Sequence, residues 1–350
     1  MKHLHKIFFV IITITLFNTC NTTEPPTDEL KPGRRDYVWT IDTIDTPNAP
    51  LGKMWGSSPN SIWRTSDGSW DESISYYNGY SWLSYGISAI VTPFAIYGFA
   101  KNSVFIGGAG NGRIWKYNGN SWTQYAQLTK DGHADIVVEE IWGLEENNFY
   151  AVGGYGDTDG TFNKSVISHF NNGNWNMFDT EAIKGIVERI YENVIDNKIY
   201  VCLIKIGDAT TLDSTIIYEY NQQKYHKLYS NVWAKGLQAD ISLINSDVIF
   251  VMGSQIAKRV NNQFQTILYV NNPNFYQRIW GRNSKDIFLL MTDGLSHYNG
   301  TDVEYLFHFT LGEVKPWTQI YSALLFEKDV FFLVYEPTTH LNLVYHGKLN

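Results

Sequence analysis

Four short β-type runs, separated by turn residues, recur along this chain, and no other feature restricts its fold as strongly. The clearest copy runs from Arg278 to Phe307. Ile279-Trp280 opens it; Asp286 to Leu290, Leu295 to Tyr298 and Val303 to Phe307 follow. Turn residues stand between the runs: Arg282 to Lys285, Thr292 to Gly294, then Asn299-Gly300. Asn-Gly between aromatic and β-branched runs is a strong hairpin signal. The copy therefore reads as a four-stranded antiparallel meander.

Related copies lie on both sides. Each opens with an aliphatic residue or Met before an aromatic: Met54-Trp55, Ile96-Tyr97, Ile141-Trp142, Ile190-Tyr191, Ile279-Trp280 and Ile320-Tyr321. A second aromatic follows eight residues later in four of them, at Trp63, Phe105, Tyr150 and Phe288. A further copy around Ile241 has lost its opening aromatic but keeps Phe250-Val251-Met252-Gly253. The third run ends in a turn, as at Asn78-Gly79, Asn118-Gly119, Asn172-Gly173 and Asn299-Gly300. An aromatic then leads the fourth run: Trp82, Trp122, Trp175, Tyr225 and Phe264. Seven copies result, about 39 to 50 residues apart.

A period of this length built from four strands predicts an all-β fold, a β-propeller of seven four-stranded blades. A small twisted sheet has two apolar faces and buries both only between two other sheets. Closing the ring removes the exposed ends. The repeated aromatics read as packing between blades, with a carbohydrate-stacking platform as the sharper alternative. The last copy stops at Asn350 without a fourth run, while Tyr37 to Ile44 alternates like a strand and has no earlier partner. That strand is expected to complete the last blade and hide its open edge.

The pattern resembles a family of exported bacterial propellers. Their blades carry a Trp-Gly, an Asp followed by Ile or Val and an aromatic, a His or Lys before Tyr and an Asn-Gly-like turn, and a Trp. The resemblance covers Tyr37 to Asn350 and is clearest in copies one, two, three and six. It implies a secreted or lipid-anchored propeller, usually without demonstrated chemistry. Some similar chains carry a glycosyltransferase label, but no acidic metal motif or sugar-nucleotide loop supports it here.

The N-terminus supports export. Lys2, His3, His5 and Lys6 precede an apolar run from Ile7 to Phe17, too short to span a bilayer comfortably. Leu16-Phe17-Asn18-Thr19-Cys20 is a loose lipobox with a small residue before Cys20. Residues 1–20 thus read as a lipoprotein signal peptide with Cys20 as the lipidated residue; ordinary secretion and a short membrane anchor are the alternatives. Residues 21–36 are rich in Thr, Glu, Pro, Asp, Lys and Arg and read as a flexible tether. Residues 37–350 are the propeller. The expected location is the bacterial cell envelope, facing the periplasm or exposed on the outer membrane.

The remaining cysteine, Cys202, sits in the buried-strand run Ile199 to Ile204 and reads as a packed thiol. A net charge of -8 without a basic block disfavours nucleic acid, which needs clustered Lys and Arg. A monomer without cofactor is expected, with a glycan or protein partner.

Candidate chemistry is sparse. Asp157-Thr158-Asp159-Gly160 begins like a calcium loop, but no closing Glu follows, so a plain turn is the better reading and no metal site is expected. His169 and His297 occupy one repeat position and read as repeat furniture. His133, between Asp131 and Asp135, is a weak site candidate. More suggestive is the residue two before each opening aromatic: Lys53, Ala95, Glu140, Arg189, Ala239, Arg278 and Gln319. This row falls at the start of each innermost strand, by the mouth of the central channel. Lys53, Glu140, Arg189 and Arg278 are the candidate ligand-binding residues, with a solvated, mutually paired rim as the structural alternative. The leading expectation is a lipid-anchored binding or scaffolding propeller. The alternative is a polysaccharide hydrolase or lyase with its site in the funnel.

Overall fold

The computed structural model describes residues 30–44, 52–66, 73–85, 92–158, 160–233, 238–309, 319–336 and 339–350. The expected signal peptide with Cys20, the first part of the expected tether and Asp159 lie outside these residues.

Among the described residues twenty-eight strands form seven four-stranded antiparallel sheets. Six sheets take four consecutive strands each. The seventh runs in the order first strand, last strand, twenty-seventh, twenty-sixth. The innermost strands are Met54–Ser58, Pro93–Ala100, Val137–Glu145, Ile186–Asn193, Ala239–Ile244, Phe275–Asn283 and Gln319–Leu325. Each contacts the next, and Gln319–Leu325 contacts Met54–Ser58, so the seven blades close into a ring.

The clasp is Tyr37–Ile44, paired antiparallel with Leu341–Leu349 from Tyr37 opposite Leu349 to Ile44 opposite Asn342. Its two ends bury opposite faces. Tyr37 lies against Phe288 of blade six at 6.1 Å, and Ile44 joins Met54 and Ile62 of blade one. Trp39 is half-buried, edge-on to Phe307 at 4.9 Å. It covers Gly347, where an added Cβ would stand 2.8 Å from the indole. The hold begins before Tyr37: Gly33 N donates to Lys285 O at 2.8 Å, and Arg35 pairs with Asp302 at 2.7 Å and Glu304 at 3.0 Å.

The aromatic repeat is interblade packing. Phe105 of blade two meets Phe149 of blade three at 5.0 Å, and Tyr200 of blade four meets Phe250 of blade five at 5.0 Å. The Gly after the opening aromatic makes room for a neighbour: a Cβ on Gly98 would stand 2.7 Å from the Trp55 ring of blade one. The aromatic leading the fourth run pairs across the hairpin with the one ending the third. Tyr77 with Trp82, Tyr117 with Trp122 and Phe170 with Trp175 lie 5.2 to 5.3 Å apart.

The Asn-Gly turns are of two kinds. Asn172 (φ 47°) and Gly173 (φ 89°) form a two-residue hairpin turn, as Gln222-Gln223 and Asn261-Asn262 also do. In blades one, two and six the loop has four residues. There the Asn oxygen accepts the backbone N–H two and three residues on, as Asn78 does from Tyr80 (2.9 Å) and Ser81 (3.0 Å).

The two repeat histidines, and His346 at the equivalent place in blade seven, are cross-strand staples. His297 Nε2 bonds Asp286 Oδ1 at 2.7 Å, His169 Nε2 bonds Asn148 Oδ1 at 2.6 Å, and His346 Nε2 bonds Asp329 Oδ1 at 2.7 Å. Each links the first residue of a blade's second strand to its third. In blade four the pair is Lys198 with Glu219 at 3.0 Å. Cys202 is free and buried, and burial pushes its thiol well above the usual value.

Candidate functional site: the channel mouth

The site is built by bulges. In blade three the ladder skips from Val138 to Glu140, leaving Glu139 as the extra residue. In blade four it skips from Val187 to Arg189, leaving Glu188. A bulge re-aims the side chains of its strand and is frequent beside functional sites. Charged residues from several blades thereby converge where the innermost strands begin.

Three of the four sequence candidates join one chain of charges. Arg189 Nη1 stands 3.8 Å from Glu140 Oε1, and its Nε stands 3.9 Å from Asp240 Oδ1. Arg278 Nε donates to Asp240 Oδ2 at 2.9 Å. Glu140 Oε2 also accepts the N–H of Ile190 at 3.2 Å, and Arg189 Nη1 donates to Glu188 O at 2.8 Å. Blades three to six are thus linked, with side-chain exposures of 13% for Glu140, 12% for Arg189, 7% for Asp240 and 15% for Arg278. Lys53 of blade one reaches across and donates from Nζ to the carbonyl oxygen of Glu139.

The ionisation shifts follow from this enclosure. Burial and the nearby Arg189 push the Lys53 ammonium below its usual value, against the pull of Glu140, Glu188 and Glu139. Burial raises Glu140, opposed by Arg189 and Lys53. Burial also raises Glu139, reinforced by Glu188, to about 8. For Arg189, burial acts downward but Glu140 and Asp240 outweigh it, so the guanidinium is held charged. The arrangement supplies fixed positive charge at Arg189 and, at Glu139, a carboxylic acid whose raised value favours the protonated form near neutrality.

Two features escaped the sequence reading. Asp240, the hub between the arginines, pairs with Val251 as Glu140 pairs with Val152, so it and not Ala239 takes the mouth position in blade five, which lacks an opening aromatic and a bulge. In blade seven the row is misplaced by three residues. Ser322 pairs with Leu333, as Glu140 pairs with Val152, so Ser322 and not Gln319 occupies the mouth position. Tyr321 is the bulge residue there, and Ile320-Tyr321 only mimics an opening pair. Ser322 Oγ accepts the N–H of Met54 at 3.0 Å, sealing the joint between blades seven and one.

The loops at the same end of the strands form a pocket of about 490 Å³ in blade three. Its wall includes Lys130, Asp131, Tyr155, Lys164, Glu181 and Lys184. Asp131 (φ 53°) and Gly132 (φ 81°) make a tight turn closed by Lys130 and His133. The turn lays the His133 ring over Tyr155 at 4.8 Å, and Tyr155 donates to Asp131 Oδ2 at 2.7 Å. Lys130 Nζ donates to Ser165 O, Phe178 O and Thr180 Oγ1, pinning the loop to blade three. Asp157, the first residue of the calcium-like stretch, faces Lys164 at 3.6 Å. Among the described residues no group of three His, Cys, Asp or Glu is placed to hold a metal ion.

No protein-family model matches the chain, and no curated protein does. Solved structures match its fold. A catalytically inactive virginiamycin B lyase from Staphylococcus aureus, solved with quinupristin, is 10% identical with a TM-score of 0.62, covering 90% of this chain and 100% of that one. YCF48 bound to D1 peptide is 15% identical with a TM-score of 0.58, over 90% and 99%. The extracellular domain of a putative one-component system, BT4673 from B. thetaiotaomicron, is 13% identical with a TM-score of 0.58, over 88% of this chain and 40% of that one. At these identities the likeness is one of fold.

Proposed function

We propose that the protein is a lipid-anchored binding propeller of the bacterial cell envelope, recognising a glycan or protein partner on its mouth face. Lipid on Cys20 holds it to the membrane. Lys53, Glu140, Arg189 and Arg278, with Asp240, form the charged floor of the binding face, and the blade-three pocket receives part of the ligand. The observation that carries this reading is the preorganised ionic chain across blades three to six beside a pocket of about 490 Å³. Pockets of about 300–1,000 Å³ with a few convergent polar groups are typical ligand sites. Propellers of similar build, one solved with a peptide and one with quinupristin, support treating this ring as a binding scaffold.

The test is capture of partners from an envelope extract, with a parallel glycan array, using wild type and Lys164→Ala/Lys184→Ala. Both lysines are exposed, so the fold should be unaffected. A partner retained by wild type and lost by the double variant supports the reading. A partner bound equally by both, or none at all, refutes it.

A second reading is a polysaccharide lyase or hydrolase. It is favoured by one observation: Glu139, raised to about 8, stands among Lys53, Arg189 and Glu188. A proton donor or base beside a charge neutraliser is the minimum for such chemistry. Incubation with uronate polysaccharides, followed by the ultraviolet absorbance of unsaturated products and by reducing ends, tests it. Activity lost in Glu139→Gln supports the enzyme; no product with wild type removes it.

A further inference from the structure

We infer that the cleft between blades one and two is a saccharide-binding site that stacks a sugar ring on an aromatic wall. This goes beyond the mouth-face reading and does not rest on it. The cleft opens toward the strand ends that carry the Asn-Gly turns, away from the channel mouth. Trp63, Tyr76 and Tyr85 of blade one and Tyr117 of blade two line it, with Lys101 and Asn102 beside them. Its volume, about 390 Å³, suits a mono- or disaccharide unit and lies within the usual range of about 300–1,000 Å³ for small-ligand sites.

The rings form one cluster. The Trp63 centroid lies 4.7 Å from Tyr76, 5.6 Å from Tyr85 and 4.9 Å from Tyr117. Burial raises the Tyr117 phenol, and Tyr85 and Tyr76 add to the shift, as crowded phenols do. Tyr85 stays 43% exposed although most of the repeated aromatics are packed away. A large exposed ring continuous with a buried aromatic cluster is a ready stacking surface.

Polar groups then select the ligand. The Trp63 side chain is 2% exposed, yet its indole N–H has no acceptor among the described residues; neither has that of Trp122, 5.2 Å away. Both N–H groups are enclosed, so the polar side chains open to a ligand in this cleft are those of Lys101 and Asn102. An aromatic cage also attracts cations. Among the described residues of the wall Lys101 carries the charge and no carboxylate stands beside it, so a quaternary ammonium would meet a like charge. A sugar ring fits these features: its C–H face stacks on Tyr85 and Tyr117, its hydroxyls meet Asn102, and a uronate carboxylate would meet Lys101.

The test is titration of the folded protein with maltose, cellobiose, chitobiose and digalacturonate, read by tryptophan fluorescence and calorimetry. At least one should bind saturably. Tyr85→Ala should weaken that binding about tenfold or more. Asn102→Ala, which removes the polar side chain of the wall, should weaken it too. Tyr269→Ala, a similarly exposed tyrosine of blade five, should leave it unchanged, and so should the mouth-face variant Lys164→Ala/Lys184→Ala. No saturable binding by any of the sugars, binding indifferent to Tyr85→Ala, or displacement by tetramethylammonium chloride would overturn the inference. Loss of cleft binding in the mouth-face variant would place the sugar in the other site.

Discussion

Arg278 donates from Nε to Asp240 Oδ2 at 2.9 Å, and that bond ties blade six to blade five at the channel mouth. Asp240 also faces Arg189 at 3.9 Å, a charge contact longer than a hydrogen bond. One carboxylate, its side chain 7% exposed, therefore holds two guanidiniums from flanking blades. Desolvating three charges is expensive, so the cluster is better evidence of a fixed mouth geometry than of added stability.

The first prediction concerns that hub. Asp240→Ala leaves two enclosed arginines facing each other across the position it vacates. Removing one partner of a buried pair typically costs about 3–5 kcal/mol. Arg278→Ala leaves Asp240 still opposite Arg189 and should cost clearly less. Urea denaturation of both variants provides the comparison. Equal losses would mean that Asp240 is not the hub.

The second prediction concerns the clasp. Deleting 37–44 removes a whole strand of blade seven and bares Leu341–Leu349. It also removes Tyr37, whose hydroxyl accepts from Arg282 Nη2 at 2.6 Å. Tyr37→Ala alone should cost about 3–5 kcal/mol, as large-to-small changes of buried aromatics do. The deletion should lower the melting temperature further and promote association through the bared edge. Calorimetry and light scattering measure both effects. A deletion variant that melts with wild type would rule out the clasp as a stabiliser.

These two predictions differ in how far their basis was legible in the sequence. The ring and its closure were legible because their signals are local: turn residues, alternating runs, and an unpaired strand at one end matching a missing strand at the other. The pairing of Asp286 with His297 was within reach too, since both are repeat positions 11 apart in the chain. Asp240 was not, because its partners are contributed by separate blades and its own blade lacks the aromatic that marks the register. Ser322 was missed because the bulge at Tyr321 places an aromatic after Ile320 and imitates an opening pair. In blades three, four and seven a bulge decides which residue reaches the mouth, and a one-residue insertion leaves little trace in a hydrophobic pattern.

The third prediction concerns the anchor, which rests on the apolar run from Ile7 to Phe17 and the Thr19-Cys20 junction. Cys20→Ser should shift the protein from the membrane to the soluble fraction and abolish labelling by a fatty-acid probe. Wild-type protein that takes up no label, or a variant still in the membrane fraction, would refute lipidation. Mutating Cys202 should leave the fractionation unchanged, since its thiol is buried in blade four.

The last prediction concerns pH. Burial, then Glu188, raises the Glu139 carboxyl from an ordinary 4.5 to about 8 in the folded chain. Between these values the folded state keeps a proton that the unfolded state has released. Stability from this group is therefore fully present below about pH 4.5 and is lost as the pH rises through 8. Glu140, raised by burial, acts with the same sign. Lys53 has the opposite sign: its lowered value weakens the fold, and that loss is recovered as the pH rises to its unfolded value of 10.5. The melting temperature should thus fall between about pH 5 and 8 from the glutamates. Glu139→Gln keeps the shape and removes the titration, so its decline over this range should be shallower and its stability at pH 8 should match or exceed that of wild type. Thermal melts at half-unit steps, at fixed ionic strength, give the two profiles. Parallel profiles would mean that Glu139 is charged in the folded protein at neutral pH, and the acid required by the enzymatic reading would be absent.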